Sequence, residues 1–347
     1  MMRAAAIAAV SMFAAAVPAN GQACLDSQTS NGFRACIFAG SGEITNFVAT
    51  AVAAGEYDIF LTLRQDGASP LFALIQKTSA NNSIIAQDIA ITTSGSGSGV
   101  VAVQVSPQSG RLLRHVESIY KNGGAPLLQA SVSAIGELGS GGISADRINT
   151  VFVQKDAGSG YTGDVLGPIV TTDSSSGLED ITIEGDLLGD IDCSGQLPNL
   201  EVSGDIGSSS TTVDISCVDL LEVSAANIWA NIDVTGDDAS ILRLRATGDV
   251  NGTIAGREFF TGSGVSDPFE IGGDFNADLD LSLGIGMPVT IGGDVTGDIS
   301  AVILRLGRTL QIDGSLTSGG VSHSIHLALP VRSSSTAQTA RARGPAM

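Results

Sequence analysis

The sequence predicts an all-β protein whose main part is a parallel β-helix with coils of about 21 residues. Three observations predict it: a short repeated word, the nearly constant spacing of its copies, and a composition rich in glycine and poor in aromatic residues. Of 347 residues, 44 are glycine and only 4% are aromatic. Because 43% are apolar, the chain can bury a large core, and neither a disordered chain nor a collagen-like repeat fits.

The repeated word has the form apolar-x-apolar-x-Gly-Asp-apolar and recurs from about residue 178 onward. Its copies begin at Ile181, Leu200, Leu221, Leu242, Phe269, Val289 and Leu310. The Asp position of the successive copies is filled by Asp186, Asp205, Asn227, Asp249, Asp274, Asp294 and Ser315. The interval between these positions varies around about 21 residues, which is the length of one coil of a parallel β-solenoid.

Each part of the word has a physical role in such a coil. Alternating apolar residues point into the core, and stacked coils place equivalent residues roughly 4.7–4.9 Å apart. The glycine is expected to provide the backbone freedom for a sharp corner, and each Asp to cap the turn in which it lies. A second word, as in Gly189-Asp190-Ile191, predicts a second corner leading into another strand.

The rest of the chain divides into segments of different composition. The prediction is a signal peptide over 1–23, a β-rich N-terminal region or cap over 24–130, the parallel β-helix over 131–325, and a disordered tail over 326–347. Within the second segment, helical spacing over 109–121 indicates a short capping helix, with a first irregular coil as the alternative. The Gly/Ser run 94–99 is interpreted as a flexible hairpin loop or linker.

The cysteines and the apolar N-terminal run predict export, to the outside or to the cell envelope or periplasm. The N-terminal run is too short to span a bilayer, and no other stretch is long enough, so no transmembrane segment is expected. Cys24 and Cys36 are candidates for one disulfide, Cys193 and Cys217 for another. The second pair is separated by about one coil, and no CxxC pair supports a metal site instead.

The strongly negative charge argues against nucleic acid as a partner and makes a bound cation a candidate. The net charge is −19, which argues against nucleic-acid binding, and the acids are concentrated in the repeat. Between residues 160 and 315 there are 20 Asp and 6 Glu against 5 Arg, a net charge of −21. Calcium is the candidate cofactor, with Asp274, Asp294 and Asp298 as the candidate ligands. Asn227 and Ser315 are poor calcium ligands in the same row, which favours turn capping over calcium.

The Gly-Asp-apolar-x-Gly-x-Ile word on an exported, acidic chain resembles secreted bacterial right-handed parallel β-helix proteins, the adhesin-like and pectate-lyase-like solenoids. The resemblance covers residues 130–325 and implies a right-handed coil with carbohydrate or surface contact. It implies no catalytic residue, because no family motif is matched.

These observations leave two classes of function open. Parallel β-helix lyases need a basic residue beside calcium-binding acids, and hydrolases need clustered carboxylates, whereas the acids here are evenly spread. The leading hypothesis is therefore a non-enzymatic secreted or cell-surface solenoid with an adhesive or structural role. The alternative is a polysaccharide-binding or polysaccharide-degrading protein. The expected partner is an extracellular polysaccharide or a surface protein, and the lone Trp229 does not by itself indicate a sugar site.

Overall fold

A computed structural model of the chain describes residues 24–81, 85–107, 113–156, 160–174, 178–236, 240–259, 269–285, 288–304 and 310–316. These residues form 25 β-strands and contain no helix. The predicted all-β parallel solenoid is confirmed. The predicted signal peptide, the last part of the predicted solenoid (317–325) and the predicted tail lie outside the described residues.

The strands pair into two long sheets. The first sheet contains β3 (Glu43–Ala53), β4 (Glu56–Arg64), β6 (Ile85–Ser94), β8 (Val116–Lys121), β10 (Leu138–Ala145), β12 (Ile169–Thr171), β14 (Ile191–Cys193), β16 (Val213–Cys217), β18 (Ile228–Val234), β20 (Val250–Phe259), β22 (Phe275–Ile285) and β24 (Ile299–Leu304). The second contains β1 (Asp26–Ser30), β2 (Phe33–Ala39), β5 (Leu71–Lys77), β7 (Val101–Pro107), β9 (Leu128–Ile135), β11 (Arg147–Val153), β13 (Leu178–Ile183), β15 (Gln196–Val202), β17 (Asp219–Ala225), β19 (Ser240–Ala246), β21 (Phe269–Ile271), β23 (Val289–Ile291) and β25 (Leu310–Ile312).

Parallel stacking begins earlier than the repeated word does. From β4 and β5 onward, the strands of successive coils pair in parallel, so regular coils extend into the segment that the sequence left irregular. A third, short side has one paired position in each coil, and most of these pairs are single bridges outside the longer ladders. This row runs through Leu138, Val165, Leu187, Ile206, Ile228, Val250, Phe275, Val295 and Leu316.

The core is a set of aliphatic stacks that run along the axis of the solenoid. One stack on the first sheet consists of Ile169, Ile191, Ile215, Ile232, Ile254 and Leu279, each at most 4% exposed. β-Branched residues are favoured there because they pack well on a pleated surface. Each coil buries its inward residues against the coils on either side, so the solenoid is stable only as a stack.

Antiparallel strands, rather than a helix, close the N-terminal end of the solenoid. The strands β1 and β2 form a hairpin, and β1 lies against the terminal strand β3 of the other sheet. The carboxylate of Asp26 accepts the backbone N–H of Ile44 (2.8 Å), and the hydroxyl of Ser30 accepts that of Ala49 (3.0 Å). These side chains satisfy backbone groups at the edge of β3 that would otherwise be open to strand addition.

The predicted capping helix at 109–121 is wrong where the structure describes this segment. Of the alternative, the coil is right, but it is not the first one, because β4 and β6 precede it as parallel strands of the same sheet. Residues Val116–Lys121 form β8, between the parallel neighbours β6 and β10, and Leu113 bridges Ile135. Residues 108–112 lie outside the described part of the chain. The segment forms a strand because its backbone groups find hydrogen-bonding partners in both neighbouring strands. The helical spacing of its apolar residues does not outweigh these hydrogen bonds.

The Gly/Ser run 94–99 is a packed turn, not a linker. The backbone N–H of Gly97 donates to the carbonyl of Gln65 at 2.9 Å. Gly95 has a φ of +105°, and a Cβ there would lie 2.2 Å from the same carbonyl oxygen. Glycine is therefore required by both backbone conformation and space, which composition alone cannot distinguish from flexibility.

Candidate functional site

The repeated acids form a hydrogen-bonded row along the solenoid, here called the Asp ladder. Its members are Asp164, Asp186, Asp205, Asn227, Asp249, Asp274, Asp294 and Ser315. In each step the side-chain Oδ1 of one member accepts the backbone N–H of the next, at 2.7 to 3.0 Å. The members predicted from the repeat all lie in this row, and Asp164 extends it by one coil.

The ladder corrects two details of the sequence interpretation. Each carboxylate caps the turn of the following coil rather than its own turn, because stacking brings that N–H to the oxygen. The preceding glycines also have another role: of Gly163, Gly185 and Gly204, only the first has a positive φ. At Gly204 a Cβ would lie 2.1 Å from Oδ1 of Asp186, so glycine is needed for close packing between coils.

The three calcium candidates do not lie in one row. Asp274 and Asp294 are successive members of the Asp ladder, with Oδ1 of each already accepting a backbone N–H. Asp298 lies in a second row, where its N–H donates to Oδ1 of Asp278 at 2.9 Å. Among the described residues, no group of three or more His, Cys, Asp or Glu is arranged to hold a metal ion. Calcium binding at these residues stays a prediction.

The first sheet presents an acidic outer face over β14 to β24. Its outward residues in two rows are Asp190, Asp192, Asp214, Ser216, Asn231, Asp233, Thr253, Ala255, Asp278, Asp280 and Asp298. Among the described residues of these strands, Arg257 near the end of β20 is the only Lys or Arg. The second sheet differs, because Arg243 pairs with Glu222 (2.5 Å) and Arg245 with Glu270 (3.6 Å).

A shallow groove lies in the acidic outer face. It has a volume of about 570 Å³ and is lined by Asp214, Ile215, Ser216, Asn231, Ile232, Asp233, Thr253 and Ala255. Its polar groups are ordered across coils: Nδ2 of Asn231 donates to Asp214 (2.8 Å), and the hydroxyl of Thr253 donates to Asn231 (3.0 Å). Asp214 and Asp233 are both exposed, so the groove lacks the desolvated carboxyl group that general-acid catalysis in glycosidases uses.

A cluster around His115 joins two coils near the start of the solenoid. Its Nδ1 lies 2.9 Å from Oε1 of Glu137, and its Nε2 lies 3.1 Å from Oε2 of Glu117. A neutral imidazole has one N–H, so only the imidazolium donates to both carboxylates. Because both ring nitrogens are engaged, the cluster acts as a clasp between coils rather than as a base or metal ligand. His115 and Glu137 lie one coil apart in the chain, and the coil period extended backwards would have paired them.

Lowering the pH is expected to weaken this clasp through Glu117. Hydrogen bonds from the Ser140 hydroxyl (2.6 Å) and the Gly141 N–H (3.2 Å), together with His115, lower the pKa of Glu117 despite partial burial. A carboxyl group with a lowered folded-state pKa stabilises the fold above its unfolded pKa of about 4.3, and this contribution is lost as pH falls further. We expect Glu117→Gln to lose less stability than the wild type between neutral and acidic pH, measured by urea unfolding.

The control for this prediction is Glu201→Gln, a change at an exposed glutamate of the second sheet. It removes the same charge without touching the clasp. Equal pH dependence in the Glu117 and Glu201 variants would contradict the role given to Glu117.

Of the two candidate disulfides, the structure contains one. Cys24 and Cys36 are bonded, with their Cα atoms 5.5 Å apart, and this bond ties the segment before β1 to β2. Cys193 and Cys217 are free, buried thiols at the ends of the neighbouring strands β14 and β16. The coil spacing thus placed the second pair side by side, but did not decide whether the two sulfur atoms are joined.

Trp229 does not form part of the groove. It is partly buried in β18, where Asn251 of β20 is its neighbour in register, and no other tryptophan exists in the chain. The described residues include no helix that is long and apolar enough to cross a membrane.

Two parallel sheets, regularly stacked coils and an inter-coil Asp ladder define the chain as a parallel β-solenoid. In comparisons with protein-family models, curated proteins and solved structures, none matches the chain. Its function therefore has to be argued from its own surfaces.

Proposed function

We propose that the chain is a non-enzymatic, exported β-solenoid with an adhesive or structural role, and that the acidic outer face is its contact surface. The observation that carries the proposal is the regular two-row order of short polar side chains over β14 to β24. Such a face offers many equivalent contacts to an extended partner but no single enclosed position for a reacting bond. The Cys24–Cys36 disulfide supports export, since disulfides persist in oxidising compartments.

A second candidate, binding of a polysaccharide, is favoured by the groove. Carboxylate, amide and hydroxyl groups at Asp214, Asn231, Asp233 and Thr253 are the groups that hydrogen-bond to sugar hydroxyls. The absence of aromatic side chains from its lining means that stacking on a sugar ring would contribute nothing. Polar contacts alone predict weak binding at each coil, strengthened where a long polymer spans several coils.

Retention on a panel of neutral, acidic and amino polysaccharides tests both candidates. The mature chain is incubated with each polymer, with calcium or with a chelator, and bound protein and new reducing or unsaturated ends are scored together. Cleavage would contradict the non-enzymatic proposal. Retention without cleavage supports polysaccharide binding, and loss of retention with the chelator would assign a role to calcium. Absence of retention on the whole panel would exclude the polysaccharide alternative and favour a structural or protein-binding role.

Where a polymer is retained, the double variant Asp214→Asn/Asp233→Asn locates the contact. We expect the affinity of this variant for the polymer to fall by about tenfold, or about 1.4 kcal/mol, because two carboxylates that would bind sugar hydroxyls are neutralised. The matched control is Asp180→Asn/Glu201→Gln on the second sheet, where Asp180 accepts Nδ2 of Asn199 much as Asp214 accepts that of Asn231. Equal affinities of the two double variants would show that the partner does not bind in the groove.

A further inference from the structure

Two buried thiols lie side by side on the adjacent strands β14 and β16 of consecutive coils. Cys193 is 3% and Cys217 is 1% exposed. They lie one position beyond the register pair Asp192–Ser216 of β14 and β16. Neighbouring strands are roughly 4.7–4.9 Å apart, which falls within the roughly 4.4–6.8 Å that separates Cα atoms in disulfides. No change in the coil register is needed to join them.

The surroundings explain why the thiols remain reduced in the folded chain. Burial, with Cys193 adding to it, raises the pKa of the Cys217 thiol, so the reactive thiolate is scarce. Sγ of Cys193 accepts the N–H of Leu178 (3.3 Å) and donates to the carbonyl of Gln196 (3.4 Å). Because both side chains are almost fully buried, an oxidant reaches either sulfur only when the coils open locally.

We propose that Cys193 and Cys217 are an oxidative cross-linking site that joins two consecutive coils of the solenoid. A small disulfide such as glutathione disulfide supplies the oxidising equivalents. One cysteine thiolate attacks one sulfur atom of this disulfide, which forms a mixed disulfide between that cysteine and glutathione and releases the other half as a glutathione thiolate. The second cysteine then attacks the mixed disulfide and releases the second glutathione. The two cysteines lose two electrons and two protons, and the glutathione disulfide becomes two thiols.

The cross-link is expected to be reversible under conditions that leave Cys24–Cys36 intact. Parallel strands in register keep their Cβ atoms close to the strand spacing, whereas disulfides prefer a shorter Cβ–Cβ distance. The two coils must therefore move closer to each other at this point, which strains the new disulfide bond. A strained disulfide is more easily reduced. Asp214 and Ser216 of the groove lie on β16 together with Cys217, so the cross-link would also fix the floor of the groove. This inference does not rest on the proposed function.

Thiol counting and peptide mapping test the proposal on the mature chain. The protein is incubated with glutathione disulfide at a temperature that permits local opening, then alkylated in denaturant and digested without reduction. We expect both free thiols to disappear, a peptide pair joined through Cys193 and Cys217 to form, and the Tm to rise by a few degrees. Mild reduction should restore the two thiols and the original Tm while the Cys24–Cys36 peptides stay joined.

Single variants provide the control. Cys193→Ser and Cys217→Ser each retain one thiol and should show no rise in Tm on the same treatment. Two alkylated cysteines after prolonged treatment, stable mixed disulfides with glutathione at both positions, or an equal rise in Tm in the single variants would each overturn the proposal. Where a serine variant folds poorly, Cys193→Ala or Cys217→Ala serves instead, since each removes the sulfur without adding a buried hydroxyl group.

Discussion

Gly204→Ala is expected to lower the free energy of unfolding by about 3 kcal/mol, at the upper end of overpacking effects. The new Cβ would lie 2.1 Å from Oδ1 of Asp186 and 2.5 Å from the carbonyl oxygen of Gly185. The first atom accepts a hydrogen bond that caps the turn, and the second belongs to the backbone of the previous coil, so neither can move without separating the coils. Urea unfolding followed by far-UV circular dichroism measures the effect.

Gly256→Ala is the matched control for this substitution. Gly256 lies in β20, and a Cβ there would meet its nearest atom, Cβ of Val234, at an ordinary 3.7 Å. We expect unchanged stability or a gain of up to about 1 kcal/mol, because alanine loses less backbone entropy on folding. If both alanine variants were equally destabilised, the close approach between coils would not be the reason for glycine in the repeated word.

Asp205→Ala is expected to cost about 2 kcal/mol through the loss of one ladder acceptor. Oδ1 of Asp205 accepts both the backbone N–H (3.0 Å) and the side-chain Nδ2 (2.8 Å) of Asn227. Both donors lie in a half-buried corner and would lose their partner. The same urea unfolding assay gives the change in free energy, and a broader transition would indicate that the coils on either side of the gap unfold separately.

Two further variants separate the ladder from the charge. Asp205→Asn keeps the acceptor, adds a donor that can reach the previous carboxylate as Asn227 does, and removes one like charge, so stability should stay within about 0.5 kcal/mol. Asp192→Ala removes an acid from the exposed outer face and should have a similarly small effect. Strong destabilisation by Asp192→Ala, equal to that by Asp205→Ala, would show that an acid outside the ladder matters as much as one inside it, and would contradict the capping role.

The ladder also explains how the repeat tolerates its acidity. Equivalent carboxylates stacked one coil apart repel each other. Each accepts a backbone N–H of the next coil, and such charge-assisted hydrogen bonds are stronger than neutral ones. Asn227 interrupts the row of charges without interrupting the row of bonds. The capping interpretation therefore agrees with Asn227, whose Oδ1 accepts the backbone N–H of Asp249, and Ser315 ends the described ladder by donating its own N–H to Asp294.

Periodicity in the repeat was sufficient to predict the coil. A solenoid coil contacts only its neighbours, so the spacing of the repeated word translates directly into spatial stacking. The repeated word predicts one row for the Asp positions from Asp186 to Ser315, and all seven lie in that row in the structure. The N-terminal coils carry no repeated word, and so local spacing at 109–121 indicated a helix where neighbouring strands impose β-structure.

The N-terminal hairpin and the groove are absent from the sequence-based prediction for different reasons. The turn residues Asn31-Gly32, both with positive φ, are a known hairpin signal and could have identified β1 and β2. The groove could not be identified in this way, because its polar residues Asp214, Asn231 and Thr253 lie in three different coils and carry no common motif. Their row becomes visible only when the register of β16, β18 and β20 is known.

The sequence by itself determined the all-β class, the coil length and the residues of the Asp ladder, because these depend on periodic contacts between adjacent coils. Only the tertiary structure decided which coil each carboxylate caps, why the glycines precede it, how the N-terminal end is closed and which sulfur atoms are joined. These features depend on differences of a few tenths of an ångström in the separation of backbones that are a full coil apart in the chain. A pattern of residue types specifies that such backbones meet, but not how closely.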